Sequence, residues 1–129
     1  MANRYKRKEV LNALRNMIVP FCSEVYMSSR ETVKTSSNNF VIVKLPQGID
    51  PYADTHNTAY VQFQLFAKDI SNGVESVDRM ESLIDSCSAL FPFNTSLMSC
   101  NEKPLLTDSK SDGMGYHSCV MQFKIVIKV

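Results

Sequence analysis

The sequence predicts an α+β fold: two main helices packed on an antiparallel or mixed β-sheet of about four to five strands, with a long β-hairpin loop. Three observations predict it. An apolar stripe at helical spacing lies near the N-terminus, a second lies between residues 77 and 91, and two segments alternate apolar with polar residues. A chain of 129 residues has the usual size of one domain, so we expect a single domain over residues 1–129.

The first helix is predicted over residues 6–18, whose apolar side chains repeat at the spacing of one helix face: Val10, Leu11, Leu14, Met17 and Ile18. Pro20 either ends or kinks this helix, or begins a second short helix that carries Phe21, Val25 and Tyr26. Residues 28–39 are rich in Ser, Thr and Asn, which favours a loop or a weak edge strand.

The middle of the chain predicts two strands joined by a long connection. Residues 40–45 read FVIVKL, apolar and β-branched, and are typical of a buried strand that stops at Pro46. Residues 60–69 read YVQFQLFAKD, whose alternation predicts a half-exposed strand. Because residues 47–58 have little apolar content, we expect them to project as a long hairpin loop.

The second helix is predicted to begin at Asn72, since Glu75 three residues later can bond back to the free amides, and to end before Pro92. Its apolar positions form one stripe: Val77, Met80, Leu83, Ile84, Cys87, Leu90 and Phe91. Residues 94–100 predict a short strand in one of two registers, with either Met98 or Leu97 inward, and residues 102–115 are polar and turn-rich.

The C-terminal segment alternates most clearly, which predicts a long and central strand. Its inward side chains are Cys119, Met121, Phe123, Ile125, Ile127 and Val129.

Charge and cysteine content exclude several classes of protein. A formal net charge of +1 is too small for the basic surface that nucleic-acid binding needs.

No apolar run reaches the length of a membrane span, and residues 1–20 lack the apolar core of a signal peptide, so we expect a protein that stays in a cytoplasm. The four scattered cysteines lack zinc spacing and are expected to be buried free thiols, so no metal or cofactor is expected.

The candidates for catalysis are few, and we expect no active site. His56 lies in the predicted loop, and His117 is expected to be a partly buried strand-end histidine. His117 and Cys119 would share a strand face that points into the core, which is a poor place for a nucleophile pair. Asp50 and Asp54 lack the dense oxygen-ligand spacing of a calcium loop and are better explained as turn formers.

Apolar residues occur on both faces of the predicted strands, at Phe40, Ile42, Tyr60, Phe66, Val120 and Val126. Two modest helices can cover one face of the sheet. The other face then needs a second layer or a neighbouring subunit, and self-association is the resulting hypothesis.

The order of these elements resembles the tail terminator, tail-completion and related neck proteins of tailed phages. The resemblance covers nearly the whole chain. It is carried by the helix ending near Met17, by FVIVKLPQG at 40–48, by YVQFQLFAKD at 60–69, by the helix of Val77, Met80 and Ile84, and by the strand that ends at Val129.

The resemblance implies a homo-oligomeric ring, commonly a hexamer, in the neck or tail of a virion assembled in the host cytoplasm. Its partners would be other neck or tail tube proteins, with DNA passing through the channel, and no membrane. The implied assembly contacts are Gln47, Ile49, Asp50, Tyr52, Asp54 and His56 of the predicted loop. The apolar residues on both strand faces add Phe40, Tyr60 and Phe66 as candidate contacts. The implied channel-facing residues are Lys44, Lys124 and Lys128.

Two other classes of function remain as alternatives. A small cytoplasmic adaptor or ligand-binding α+β domain of a bacterial cell would bind in the cleft beside the second helix, and a pocket lined by convergent polar groups would favour it. A small hydrolase or nuclease would need a carboxylate cluster or a histidine-centred pair.

Overall fold

The computed structural model describes residues 3–27, 38–71 and 73–129. Within them the chain is α+β, as predicted, but its sheet has nine strands rather than four to five. The elements in chain order are α1 (Arg7–Ile18), β1 (Val25–Met27), β2 (Asn39–Lys44), β3 (Ile49–Ala53), β4 (His56–Lys68), α2 (Val77–Ser88), β5 (Phe93–Asn94), β6 (Met98–Cys100), β7 (Leu105–Leu106), β8 (Lys110–Ser111) and β9 (Tyr116–Lys128).

Two long antiparallel strands form the centre of the sheet. β4 and β9 pair over thirteen residues each, from His56 opposite Lys128 to Lys68 opposite Tyr116. The strand order is β1-β2-β4-β9-β6-β5; β3 also pairs with β4, and β7 and β8 also pair with β9. The sheet is mixed because β1 runs parallel to β2, whereas the other pairings are antiparallel.

Both helices pack on one face of this sheet, which we call the helix face. The buried side chains of α1 and α2 form one core with the inward residues of the long strands, such as Phe63, Phe123 and Ile125. The alternation predicted for the last strand is confirmed, since Cys119, Met121, Phe123, Ile125 and Ile127 are all buried. Val129 follows the end of β9 and is exposed.

The first helix lies where its periodicity predicts, from Arg7 to Ile18. Pro20 is in the turn that follows it, and the alternative of a second short helix is wrong, because Val25 and Tyr26 belong to β1. β1 instead satisfies its backbone hydrogen bonds by pairing with β2. The edge strand considered for residues 28–39 falls largely outside the described residues.

The second helix begins later than predicted. Its N-cap is Ser76, whose hydroxyl accepts a hydrogen bond from the Arg79 backbone N–H at 3.4 Å. The predicted cap, Asn72, lies outside the described residues. The helix ends at Ser88, before Leu90 and Phe91, which still pack against the core.

The predicted long loop at residues 47–58 is a β-hairpin whose arms are strands. β3 and the start of β4 flank a turn at Asp54 and Thr55. Composition misled the prediction, because β3 is extended through its backbone pairing with β4 while most of its side chains stay exposed. Pro51 has no backbone N–H to donate to a neighbouring strand. It is tolerated in β3 because a strand at the edge of a sheet needs fewer such donors.

The region between α2 and β9 adds strands that the sequence did not predict. Met98 and Cys100 are buried, which decides the register of β6 in favour of Met98 inward. β7 and β8 lie within the segment predicted to be turn-rich, and each is a two-residue strand paired with β9. Strands this short carry no periodicity of their own.

The opposite face of the sheet, which we call the open face, buries part of its own apolar surface. Phe40, Ile42, Phe66 and Tyr116 form a second buried cluster there, with Tyr26 packed against it. The rings of Phe40 and Phe66 stack at a centroid distance of 4.4 Å. Phe40 and Phe66 stand at paired positions of β2 and β4 and are buried within the chain, and their contact with other subunits stays a prediction.

No helix among the described residues is long and apolar enough to cross a membrane.

Candidate assembly surfaces

The β3–β4 hairpin brings six of the predicted contact residues to one edge of the sheet. Gln47, Asp50, Tyr52 and Asp54 are exposed there, whereas Ile49 and His56 are half-buried. Tyr52 is 70% exposed, and its ring lies 5.2 Å from that of His56. An exposed tyrosine held on a paired strand is well suited to contact another protein.

The middle of the open face is polar and carries two lysines, and two carboxylates, Glu102 and Asp50, lie beside one of them. Gln62 of β4 donates a side-chain hydrogen bond to Gln122 of β9 at 3.0 Å. Lys44 lies opposite Gln62, and Lys124 lies opposite Tyr60 with its ammonium group 5.6 Å from the ring centroid. We call Lys44, Tyr60, Gln62, Gln64, Gln122 and Lys124 the polar strip.

Two of the three predicted channel-facing lysines, Lys44 and Lys124, thus share a surface. Lys128 differs from them. Its ammonium donates hydrogen bonds to Asn94 Oδ1 at 2.7 Å and to the Thr95 carbonyl at 2.6 Å, which ties it to the β5–β6 turn. Of the predicted contacts, Tyr60 alone lies in the strip, where it is 37% exposed.

A basic end lies where β4 begins and β9 finishes. Asn57 and Lys128 both bind the segment that leads into α1 at this end. Its cations are Arg4, Lys6, Arg7, Lys8 and Lys128, and its carboxylates are Glu9, Asp50 and Asp54. Cations therefore outnumber carboxylates among the described residues of this end.

An acidic end lies at the other end of the same two strands. The Asp69 N–H bonds to the Gly115 carbonyl, and the Asp112 N–H bonds to the Tyr116 carbonyl, which places both carboxylates at this end. The carboxylates here are Asp69, Glu75, Asp78, Glu81, Asp108 and Asp112, and the cations are Lys68, Arg79 and Lys110. The described part of the chain is thus electrically polarised along its long strands.

An open cavity of about 400 Å³ lies at the acidic end, between α2 and the β7–β8 segment. Met80, Ile84, Leu106 and Cys119 supply apolar walls. Glu75, Glu81 and Asp108 supply carboxylates. We call this cavity the acidic groove, and it combines apolar and charged walls as ligand- and peptide-binding grooves do.

A second cavity of about 430 Å³ lies further along α2. It shares Leu106 with the acidic groove and adds Phe91, Met121 and Lys103. The two cavities lie on the same side of α2, so the surface between α2 and β7 is concave along most of the helix.

All four cysteines are free and buried, as predicted. Burial raises the pKa of the Cys87 thiol to about 12 and that of Cys119 to about 11. For Cys119 the negative charges of Glu75, Asp108 and Glu81 add to the effect of burial on the pKa. Burial also raises the pKa of Cys22 and of Cys100. Thiols held protonated in this way are weak nucleophiles.

His117 is paired with a residue that the sequence did not connect to it. Its Nδ1 lies 2.6 Å from Oδ1 of Asp69, and both side chains are largely buried. Cys119, which had been considered as its neighbour, instead contacts the Met80 sulfur at 3.5 Å. Histidine and aspartate are 48 residues apart, and pairing of β4 with β9 brings them together.

Among the described residues, no group of three or more histidine, cysteine or acidic side chains is arranged to hold a metal ion.

The fold recurs in a protein of very different sequence. One solved structure, of a chain that carries no description of its function, aligns over 100% of this chain and 97% of its own length with a TM-score of 0.62. The two sequences are 14% identical, so the similarity concerns the fold alone. No family model and no curated protein matches this chain.

Sequence reasoning considered a cleft beside the second helix but did not find the carboxylates of the acidic groove or the charge polarity. The acidic residues of the groove come from α2, from the residues that precede α2 and from the β7–β8 segment, and these parts are far apart in the chain. The crowding of Arg4, Lys6, Arg7 and Lys8 is the one signal visible in the sequence, and it marks the basic end.

Proposed function

We propose that this chain is a structural subunit of a head–tail neck or tail terminator ring of a tailed phage, which joins or caps the tail through protein contacts. The opposite charge of the two ends of its long strands carries the proposal. A subunit that is basic at one end and acidic at the other can bind the next copy head to tail, and such heterologous contacts close into rings when the rotation allows it.

The open face supports the same proposal. Lys44 and Lys124 stand among glutamines on the polar strip, which is a surface suited to water and to a polyanion rather than to a dry interface. In a ring built head to tail, this strip would line the channel through which DNA passes. The exposed Tyr52 of the hairpin would contact a neighbouring subunit or a tail tube protein.

Negative-stain imaging and light scattering of the purified protein test the proposal. Rings with a central hole, and a mass that is a multiple of 14.6 kDa, are the expected results. A particle that stays monomeric at every concentration, and also in the presence of the tail tube protein, would contradict it.

A second function, a ligand-binding or adaptor domain of a bacterial cell, is favoured by one observation. The acidic groove joins apolar walls to three carboxylates, Glu75, Glu81 and Asp108, in a single concavity. Under this alternative the protein is a monomer that binds a cationic ligand. Titration with a basic peptide, followed by calorimetry, would then show one site per monomer and no change in oligomeric state.

A further inference from the structure

The chain entering α1 is anchored to the basic end by three contacts. The Arg4 guanidinium donates a hydrogen bond to the Ala53 carbonyl. The buried Asn57 side chain donates to the Arg4 carbonyl at 2.9 Å, and the Lys6 ammonium donates to the Lys128 carbonyl at 3.1 Å. Two of the cations of this end are therefore used to hold the segment in place.

The anchoring presents other side chains outward. Lys6 has a φ of 54°, in the left-handed region that is uncommon for a residue other than glycine. This conformation turns the chain into α1, with Tyr5 before the turn and Lys8 after it. Tyr5 is 44% exposed and Lys8 is exposed. An exposed aromatic ring and an exposed ammonium group are therefore carried, three residues apart, on a segment that is held by the three anchors.

The acidic groove offers the complementary features. Met80, Ile84 and Leu106 give it an apolar wall of the kind that receives an aromatic ring. Glu75, Glu81 and Asp108 place negative charge around the same space. Cys119 lines the same groove, and its pKa is raised by burial first and then by the negative charges of these three carboxylates.

A chain cannot place its own N-terminal segment in its own groove. The segment is fixed against Lys128, whereas the groove is lined by Cys119 of the same strand. At about 3.3 Å per residue, that stretch of β9 spans roughly 30 Å. The groove of another copy is open to the segment.

We propose that Tyr5 and Lys8 of one copy dock in the acidic groove of the next copy, with the Tyr5 ring against Met80, Ile84 and Leu106 and the Lys8 ammonium beside Glu81. This inference rests on the proposed ring function and names the contact that joins neighbouring subunits. The contact is heterologous, because it uses different surfaces of the two copies, and it repeats around a ring. Since the segment is already ordered by its three anchors, little conformational entropy is lost when it docks.

Charge reversal tests the contact. Lys8→Glu and Glu81→Lys are each expected to raise the dissociation constant between subunits at least about tenfold, since each places like charges together. The double variant with both changes in one chain restores opposite charges at every interface and is expected to recover most of the assembly. Sedimentation velocity over a range of concentrations measures the oligomer distribution, and circular dichroism checks that each variant is folded.

The matched control is Asp85→Lys, which makes the same charge change as Glu81→Lys one turn further along α2, at an exposed position that does not line the groove. It is expected to leave assembly unchanged. Lys8→Glu places a carboxylate in the first turn of α1, where the helix dipole favours it, so the variant should fold. If a reversal unfolds the chain, Lys8→Ala and Glu81→Gln replace it, and each is expected to weaken assembly.

The possible results distinguish a failure of the proposed contact between subunits from a failure of the proposed ring function. Rings in the unmodified protein that persist in both single variants would overturn the proposed contact and leave the ring function standing. An unmodified protein that is monomeric under all conditions overturns both. Loss of assembly in each single variant without recovery in the double variant would also count against the contact.

Discussion

The Asn57 side-chain amide lies fully buried and donates a hydrogen bond to the carbonyl oxygen of Arg4, 2.9 Å away. Asn57 belongs to the second residue pair of the long β4–β9 ladder, whereas Arg4 precedes the first helix. This bond therefore links the sheet to the segment that carries Tyr5 and Lys8. A buried amide in this position fixes where the exposed part of the segment points.

Asn57→Ala is expected to destabilise the protein by about 1–2 kcal/mol, because it removes this bond and leaves the Arg4 carbonyl without it. It should also speed tryptic cleavage after Lys6 and Lys8 roughly 5- to 30-fold by releasing the segment. Urea unfolding and timed digestion measure the two effects. Asn101→Ala, at an exposed position, is the control, and an unchanged cleavage rate in Asn57→Ala would show that the bond does not hold the segment.

Phe66→Ala is expected to destabilise the protein by about 3–5 kcal/mol, because it removes a buried ring that stacks on Phe40. Tyr60→Ala, six residues earlier on the same face, should lose less than about 1 kcal/mol because Tyr60 is partly exposed. Urea unfolding of both variants measures the difference. Equal losses would mean that the two positions are equally buried, contrary to the structure.

Ser76→Ala is expected to destabilise the protein by about 1 kcal/mol, because the helix loses the side chain that caps the Arg79 N–H. Ser82→Ala is the matched control, since Ser82 is exposed within α2 and alanine is a better helix former. Thermal unfolding should therefore move in opposite directions for the two variants. A loss at Ser82 as large as that at Ser76 would argue against Ser76 as the cap.

The thiols are expected to resist alkylation at pH 8 in the folded protein and to react once urea unfolds it. Burial raises the pKa of Cys87 to about 12 and that of Cys119 to about 11, so the thiolate population is far below that of an ordinary cysteine. Mass spectrometry after iodoacetamide treatment counts the modified residues. Rapid labelling of Cys87 in the folded state would contradict its burial.

The same pKa values predict how stability depends on pH. In the folded chain these thiols keep their protons, whereas in the unfolded chain they lose them near the ordinary value of 9.0. Their contribution to stability is therefore complete below pH 9 and falls as the pH rises from 9 towards 11 and 12. Urea unfolding between pH 8 and pH 11 measures the decline, and a Cys87→Ala variant should show a shallower one.

The spacing of apolar residues predicted the elements that are long enough to repeat that spacing several times. α1 follows from an apolar stripe at Val10, Leu11, Leu14 and Ile18, and the inward residues of β9 follow from its alternation. β3, β7 and β8 were missed because they are strands through hydrogen bonds to β4 and β9, and most of their side chains are exposed. Their extended shape depends on a neighbour that is distant in the sequence.

The candidate surfaces were predicted to a smaller extent. The exposure of Tyr52 and Asp50 was expected from the polar composition of residues 47–58, and that of Lys124 from the alternation of β9. The stacking of Phe40 on Phe66 was not predicted, since the partner of each ring is set by the register between β2 and β4. The pairing of His117 with Asp69 likewise depends on the β4–β9 register.

The sequence by itself determined the α+β class, the first helix, the alternation of the last strand and the crowding of positive charge before α1. These depend on the spacing of apolar and charged residues within one segment, which no other part of the chain can alter. The tertiary structure alone decided that the basic segment lies against Lys128, that Glu81 and Asp108 line the same groove as Cys119, and that these two surfaces lie at opposite ends. Each of these results depends on the register of the β4–β9 ladder, which joins residues about 50 to 70 positions apart and is set by the burial of both strands in one core.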